Sequence, residues 1–280
     1  MNYHTSTEQQ IDDETVNRYF NGGAGGGTAD TVSMMAHEHN LPASAARYRL
    51  RKEIRAVSDW LDAVCASGRV LDVGCGSGAW TEIFANRYKA VIGIDRSPLM
   101  VKAARERLPN VEIFEGDGRK SLPEGPFDMI FLGGLCMYLE NAHVLALLDS
   151  LKHRLSKEGS IILRESTVQQ GVSLARGEYQ AVYRSVSLYH QLFENAGPFR
   201  VEVRRNYGYN SMETAEELVD LRRKWLPFLP KDSPTLGFLM WWALRGTTPI
   251  SLWALPRALS QLNIAWPRLQ NHFFKLRRVE

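Results

Sequence analysis

Cysteine is scarce: the 280 residues contain only Cys65, Cys75 and Cys136. Their spacing suits neither a zinc site nor the dense disulfide framework of a small secreted domain, so a reducing compartment is expected and no metal site is. Long apolar runs are lacking too. The longest, residues 236–244, falls far short of the roughly twenty residues a bilayer-spanning helix needs. Charge of one sign is not in excess, since 34 Lys and Arg face 31 Asp and Glu for a net +3. Phosphate binding usually shows as a concentrated basic field, so no nucleic-acid partner is expected. Residues 1–10 lack the basic start and apolar centre of a secretory leader, which makes a cytoplasmic location the expectation.

What is present is a strand running into a glycine turn: Val70-Leu71-Asp72-Val73-Gly74-Cys75-Gly76-Ser77-Gly78. Glycines at 74, 76 and 78 permit positive φ and let a ligand lie against the main chain at the carboxyl end of the strand. A second apolar strand, Ala90-Val91-Ile92-Gly93-Ile94-Asp95, ends in an acid about twenty residues after the turn, the offset expected of an acid that grips ribose hydroxyls. A nicotinamide dinucleotide is the alternative ligand. Its usual Gly-x-Gly-x-x-Gly turn would need a glycine at 79, where this chain has Ala79. An acid such as Asp72 inside the turn would also repel phosphates and favour a cation.

Five ordered motifs resemble the class I S-adenosylmethionine-dependent methyltransferases over roughly residues 50 to 200. They are the glycine turn, the strand ending at Asp95, Glu115-Gly116-Asp117-Gly118, Phe127-Asp128-Met129-Ile130-Phe131-Leu132, and the segment from Leu155 through Gly159 to Leu163. The resemblance implies S-adenosyl-L-methionine as cofactor and a doubly wound, mostly parallel, Rossmann-like α/β sheet. It assigns Asp72, Gly74, Cys75, Gly76 and Gly78 to the methionine and ribose, Asp95 with Arg96 to the ribose hydroxyls, Gly116, Asp117 and Gly118 to adenine, and Leu132 to the strand-four edge of the site.

The remaining residues fit that rhythm. Apolar positions Ile54, Val57, Trp60, Leu61 and Val64 recur at helical intervals over residues 45–66, and Ser97-Pro98 opens a helix after the second strand. Alternating strands and helices imply right-handed crossovers and ligand-binding loops at the carboxyl edge. Three segments are expected: an N-terminal lid or flexible stretch over 1–44, a methyltransferase core over 45–212, and a helical, tryptophan-rich extension over 213–280. The glycine-rich residues 21–28 read either as a linker or as the hinge of a lid carrying Tyr19, Tyr48 and Arg49.

Methyl transfer from a sulfonium depends mainly on holding the acceptor in line, and needs at most one base. The loop after strand four contains Tyr138, which either orients an acceptor or packs on the next helix, and Cys136, a small buried hydrophobe. His143 is expected at the surface. Arg164 and Glu165, followed by Tyr179, Tyr183 and Arg184, are the expected acceptor-binding residues, unless Glu165 and Arg184 form an internal ion pair. Tyr138 and His190 are the catalytic candidates, and Tyr19 joins the acceptor set from the lid.

Residues 201–203 and 207–209 are expected as two closing strands, with a helix over 214–225 capped by Thr214. Five of the seven tryptophans lie beyond residue 224. The tail reads as a cover for the acceptor pocket or a homodimer interface, as a peripheral membrane surface rich in arginine and leucine, or as a partner-protein groove. The expected activity is methylation of an oxygen, nitrogen or carbon atom of a small-molecule acceptor. A lipid-directed enzyme docking through the tail, or a cofactor-binding subunit without catalysis, are the other readings.

Overall fold

A computed structural model describes residues 11–21, 40–262 and 264–279. Residues 1–10 and residues 22–28 of the glycine-rich stretch lie outside these. The chain forms two compact units, one of Met1–Asp30, Val64–Val203 and Phe273–Glu280, the other of Thr31–Ala63 and Arg204–His272. Both are discontinuous in sequence, whereas composition suggests three consecutive segments.

In chain order the elements begin with α1 (Asp13–Asn21), α2 (Ala43–Ala56) and α3 (Ser58–Asp62). The alternating run follows: β1 (Arg69–Val73), α4 (Ala79–Ala85), β2 (Ala90–Asp95), α5 (Pro98–Arg107), β3 (Glu112–Glu115), β4 (Phe127–Leu132), a 3-10 turn at Cys136–Tyr138 and α6 (Asn141–Lys152). Then come β5 (Leu155–Val168), β6 (Val172–Ala175), β7 (Ala181–Ser185), α7 (Val186–Ala196) and β8 (Phe199–Arg205). The chain ends with α8 (Tyr207–Trp225), α9 (Pro234–Gly246), a π-helical turn at Pro249–Ala254, α10 (Leu255–Gln261) and β9 (Gln270–Arg278).

The first unit is built on a sheet of order β3-β2-β1-β4-β5-β7-β6, with β9 pairing β5 and β8. The β1–β2, β1–β4, β2–β3, β4–β5 and β5–β7 pairs are parallel, and only the β6–β7 hairpin is antiparallel among the pairs named here. The expected α/β class with a mostly parallel sheet is what forms. Register sets the site: Val73 lies beside both Ile94 and Leu132, and Asp95 beside Glu115. The loops leaving β1, β2, β3 and β4 therefore emerge along one edge.

Helices on both faces explain why the strands read as near-continuous apolar runs. Ile130 and Leu132 join a core with Val144, Leu147, Leu148 and Leu151 of α6 and Leu192 and Phe193 of α7. Phe131 points the other way, 4.7 Å from the Trp80 ring and 5.2 Å from the Phe84 ring of α4. Burying each such side chain stabilises the fold by about 1.5–3 kcal/mol.

The second unit is helical. Leu41, Ala45 and Ala46 at the start of α2 pack with Met212, Ala215 and Val219 of α8 and with Trp241 and Leu244 of α9. The run at residues 236–244 thus contributes to this core, and among the described residues no helix is long and apolar enough to cross a membrane. The helix expected over 45–66 is broken at Val57, whose φ of −123° and ψ of 13° leave the helical region. The strand expected at 207–209 is instead the first turn of α8. Asn206 caps it by accepting from the Tyr209 amide at 3.2 Å, and Thr214, the expected cap, bonds back to the Asn210 carbonyl from the helix interior at 2.8 Å. The partner of β8 comes from β9, more than sixty residues on.

Candidate active site

The turn after β1 adopts the conformation its glycines allow. Gly74, Gly76 and Gly78 have φ of 72°, 54° and 84°. Gly74 and Gly78 are also crowded, a Cβ on Gly74 lying 3.3 Å from Leu135. A Cβ on Gly76 would meet nothing within 4 Å, leaving that backbone open to a ligand, while one on Gly78 would lie 3.1 Å from Leu108. The Cys75 side chain turns inward against Val101, Ala104 and Ile113, so only its backbone faces the turn.

Asp95 ties the turn to the next loop. One carboxylate oxygen accepts from the Gly76 amide and the other from the Ser97 amide, both at 2.9 Å, and its own carbonyl accepts from Gly116 N at 2.9 Å. Burial raises its pKa against these amides. Asp72 lies directly beneath, only 1% exposed, with the Thr81 hydroxyl donating to it at 2.6 Å. Burial, with the Asp95 charge adding to it, pushes the Asp72 carboxyl up to about 7 against the Thr81 bond. A buried acid and a part-buried one under the same glycine turn create a demand for positive charge. A sulfonium with an ammonium meets that demand, and a pyrophosphate does not.

Asp117 is held by Arg119, whose Nε lies 2.9 and 3.0 Å from its two oxygens. Burial raises the Asp117 pKa, but the hydrogen bonds and charge of Arg119 outweigh it and leave the carboxyl below its ordinary range. Arg119 also reaches Asp13 of α1 at 2.6 Å, and Arg96 reaches Asp13 at 3.3 Å. At the other end of α1, the Ser97 hydroxyl donates to Asn21 Oδ1 at 2.6 Å. The N-terminal helix is therefore pinned at both ends to the loops after β2 and β3. Asp13, Arg119 and Asn21 are links at this edge of the sheet that the sequence reading does not single out. Arg119 stands two places from Asp117, which was a usable signal, but Asp13 lies 106 residues away from its partner and gave none.

The aromatic residues converge. Tyr19 packs on Tyr179 at 5.1 Å, Phe20 on Tyr138 at 5.0 Å and Tyr138 on Tyr179 at 6.0 Å. Three phenols form a chain, with Tyr179 Oη 3.2 Å from that of Tyr138 and 3.1 Å from that of Tyr183. Of the expected acceptor residues, Tyr19, Tyr179 and Tyr183 thus meet Tyr138 in one cluster. Phe20 was not foreseen.

Other expected residues do different work. The sequence Arg164-Glu165-Ser166-Thr167 is not a loop but the last part of β5. Glu165 is wholly buried and accepts from the amides of Cys136 and Met137 at 3.0 and 3.2 Å and from Tyr189 Oη at 3.2 Å. Arg184, 1% exposed, donates to Asn141 Oδ1 and to the carbonyls of Cys136 and Leu139 at 2.8, 2.8 and 2.6 Å. Both hold the backbone of the turn that carries Tyr138. Arg164 supports the same loop through Gly133 O at 2.9 Å. Leu132 is fully buried in the core, so its side chain does not line the site. His190 is half-buried on α7, and no hydrogen bond or ring contact joins it to the tyrosines among the described residues. Tyr48 and Arg49, the other lid candidates, belong to the second unit, where the Arg245 guanidinium lies 3.7 Å above the Tyr48 ring and Arg49 pairs with Glu53 at 3.5 Å.

A parallel sheet of this order, with a glycine turn over buried acids at its carboxyl edge, defines the Rossmann-like methyltransferase fold. A family model described as a methyltransferase domain matches residues 70–159. The trans-aconitate 2-methyltransferase of Escherichia coli O157:H7 is 26% identical over 231 residues, covering 75% of this chain and 86% of that protein. The one from Methylobacterium nodulans is 36% identical over 103 residues, 36% of this chain and 39% of the relative. Among solved structures, a DhpI–SAH complex aligns with a TM-score of 0.53 at 19% identity, covering 69% of this chain and 90% of that one. A Haemonchus contortus phosphoethanolamine N-methyltransferase 2 bound to S-adenosyl-L-methionine aligns at 0.56 and 15% identity, covering 81% and 52%. The chain is a class I S-adenosylmethionine-dependent methyltransferase, and S-adenosyl-L-methionine is its cofactor.

Proposed function

We propose that this enzyme methylates a carboxylate oxygen of a small organic acid held against the tyrosine cluster. The observation that carries the reading is the hydrogen-bonded chain of Tyr138, Tyr179 and Tyr183 hydroxyls, closed by Tyr19 and Phe20 of α1. A cluster of phenol hydroxyls suits an acceptor rich in oxygen lone pairs. A carboxylate is already ionised at neutral pH, so it needs no general base. The name of the relatives supports the same chemical class, because trans-aconitate is a small polycarboxylate.

S-adenosylmethionine supplies, when bound, a methyl group already activated by its sulfonium. The backbone of Gly74, Cys75, Gly76 and Gly78 would line its methionine portion over the Asp72 charge. Asp95 and Arg96 would take the ribose, and the Gly116-Asp117-Gly118 loop the adenine. Tyr138 orients the acceptor, Tyr179 and Tyr183 fix the phenol of Tyr138, and α1 excludes water from the reacting atoms.

Transfer from labelled S-adenosylmethionine to a panel of mono-, di- and tricarboxylates, with amines and phenols of similar size alongside, tests the reading. A base-labile methyl ester formed from trans-aconitate or a related acid is the expected product. Label in an amine alone would overturn the carboxylate assignment and leave the cofactor assignment standing.

A further inference from the structure

The second unit contains a cavity of about 380 Å³ that the methyltransferase site does not account for, lined by Arg205, Tyr207, Asn210, Arg257, Ile264 and Trp266 among others. All its lining residues belong to that unit. Its volume falls within the range of sites that take small organic molecules.

Among the described lining residues the charged ones are Arg205 and Arg257, both cations. Arg205 is half-buried, and among the described residues no carboxylate lies within ion-pair distance of it. Its neighbours are the Tyr207 ring, 5.4 Å away, and Asn210, which accepts from Arg205 Nε at 3.1 Å and Nη2 at 3.2 Å once its amide presents the oxygen. Burial and the charge of Arg257 lower the Arg205 pKa, so a second cation shares the cavity instead of an acid. The adjacent His272 is depressed to about 4 by burial and by Arg205, and adds no charge near neutral pH. Buried cations in proteins are normally paired. The indole Nε1 of Trp266 is a further buried donor with no partner. Two guanidinium groups and an indole N–H therefore share the cavity with an apolar wall of Leu252, Pro256 and Ile264.

We propose that this cavity binds a small organic anion, with its anionic head on Arg205, Arg257 and the Trp266 indole and an apolar body against the wall. The site is independent of the acceptor assignment above. Its head group is a carboxylate or a phosphate monoester, which share this recognition chemistry.

The test is a titration of the full chain, followed by the indole ¹⁵N–¹H resonances, with 4-phenylbutyrate, phenylpropyl phosphate and the neutral 4-phenylbutanol. Trp266→Phe assigns the reporting resonance. Saturable movement of the Trp266 signal by either anion and not by the alcohol is expected, and the tighter anion identifies the head group. Arg205→Gln should weaken binding about tenfold or more, as loss of a charge-assisted hydrogen bond does. Arg257→Gln, at an exposed position, should weaken it several-fold and keeps the test valid if the Arg205 variant does not fold. Equal response to the alcohol, no saturable response to either anion, or undiminished affinity in both arginine variants would overturn the proposal.

Discussion

Glu165 and Arg184 hold opposite polarities of the same turn. The carboxylate accepts from the amides of Cys136 and Met137, and the guanidinium donates to the carbonyls of Cys136 and Leu139. Between them they satisfy backbone groups at the two ends of the 3-10 turn at Cys136–Tyr138. Arg184→Met should lower stability by about 3 kcal/mol or more, because it leaves buried carbonyls unmet and the Glu165 charge uncompensated. Arg184→Lys should recover little of this, since one ammonium cannot reproduce the planar fork. Urea unfolding checks both; a lysine variant as stable as the wild type would show that the fork geometry is unimportant.

The helix α1 is pinned through Asp13, which contacts both Arg96 and Arg119. Asp13 is about half exposed, so the pairing is partly screened and worth about 1 kcal/mol or less in overall stability. Its larger effect should fall on function. Asp13→Asn is expected to raise the dissociation constant for S-adenosylmethionine several-fold and to increase proteolysis near α1, with the wild-type affinity itself weakening as salt rises. Salt-independent affinity would argue that α1 is held by its aromatic contacts alone.

Much of this site could be read from the chain because its signals are local. Positive φ at Gly74, Gly76 and Gly78 needs glycine, and strands buried on both faces must be apolar throughout. What could not be read depends on distant partners. The β9 segment Gln-Asn-His-Phe-Phe-Lys-Leu-Arg-Arg looks like a basic tail until β8 and β5 pair with it. At Tyr207, the strand propensity of two tyrosines misled, because the Asn206 cap decided for helix. Arg164 and Glu165 on β5 and Arg184 on β7 read as acceptor residues, and their bonds to the loop after β4 depend on strand neighbours that spacing along the chain does not reveal.

The phenol chain predicts a separation of kinetic effects. Tyr179→Phe removes the hydroxyl that links Tyr138 to Tyr183 but keeps the ring contact with Tyr19. Such a loss should lower kcat/KM for the acceptor about tenfold, the scale of one or two hydrogen bonds, while the affinity for S-adenosylmethionine stays unchanged. A matched fall in cofactor affinity would place Tyr179 on the cofactor and not on the acceptor.

Asp72 connects the site to pH with a sign that can be worked out. Its carboxyl is raised from 3.8 to about 7 in the folded chain, first by burial. The native state therefore binds a proton more tightly than the unfolded state between these values. Without cofactor, Asp72 makes the fold less stable as pH rises from about 4 to 7, by at most a few kcal/mol. A bound cation reverses the preference, because it favours the carboxylate. Affinity for S-adenosylmethionine should accordingly rise from pH 6 to 8, and binding near pH 6.5 should release a fraction of a proton. Calorimetry in buffers of different ionisation enthalpy measures that release directly. Asp72→Asn, which keeps an acceptor for the Thr81 hydroxyl, should make the free enzyme more heat-stable at pH 8, weaken S-adenosylmethionine about tenfold at the same pH, and remove most of the pH dependence. Opposite effects on stability and affinity from one substitution identify a charge held under the turn for the ligand's sake. A variant that lost both together would show that Asp72 serves the fold alone.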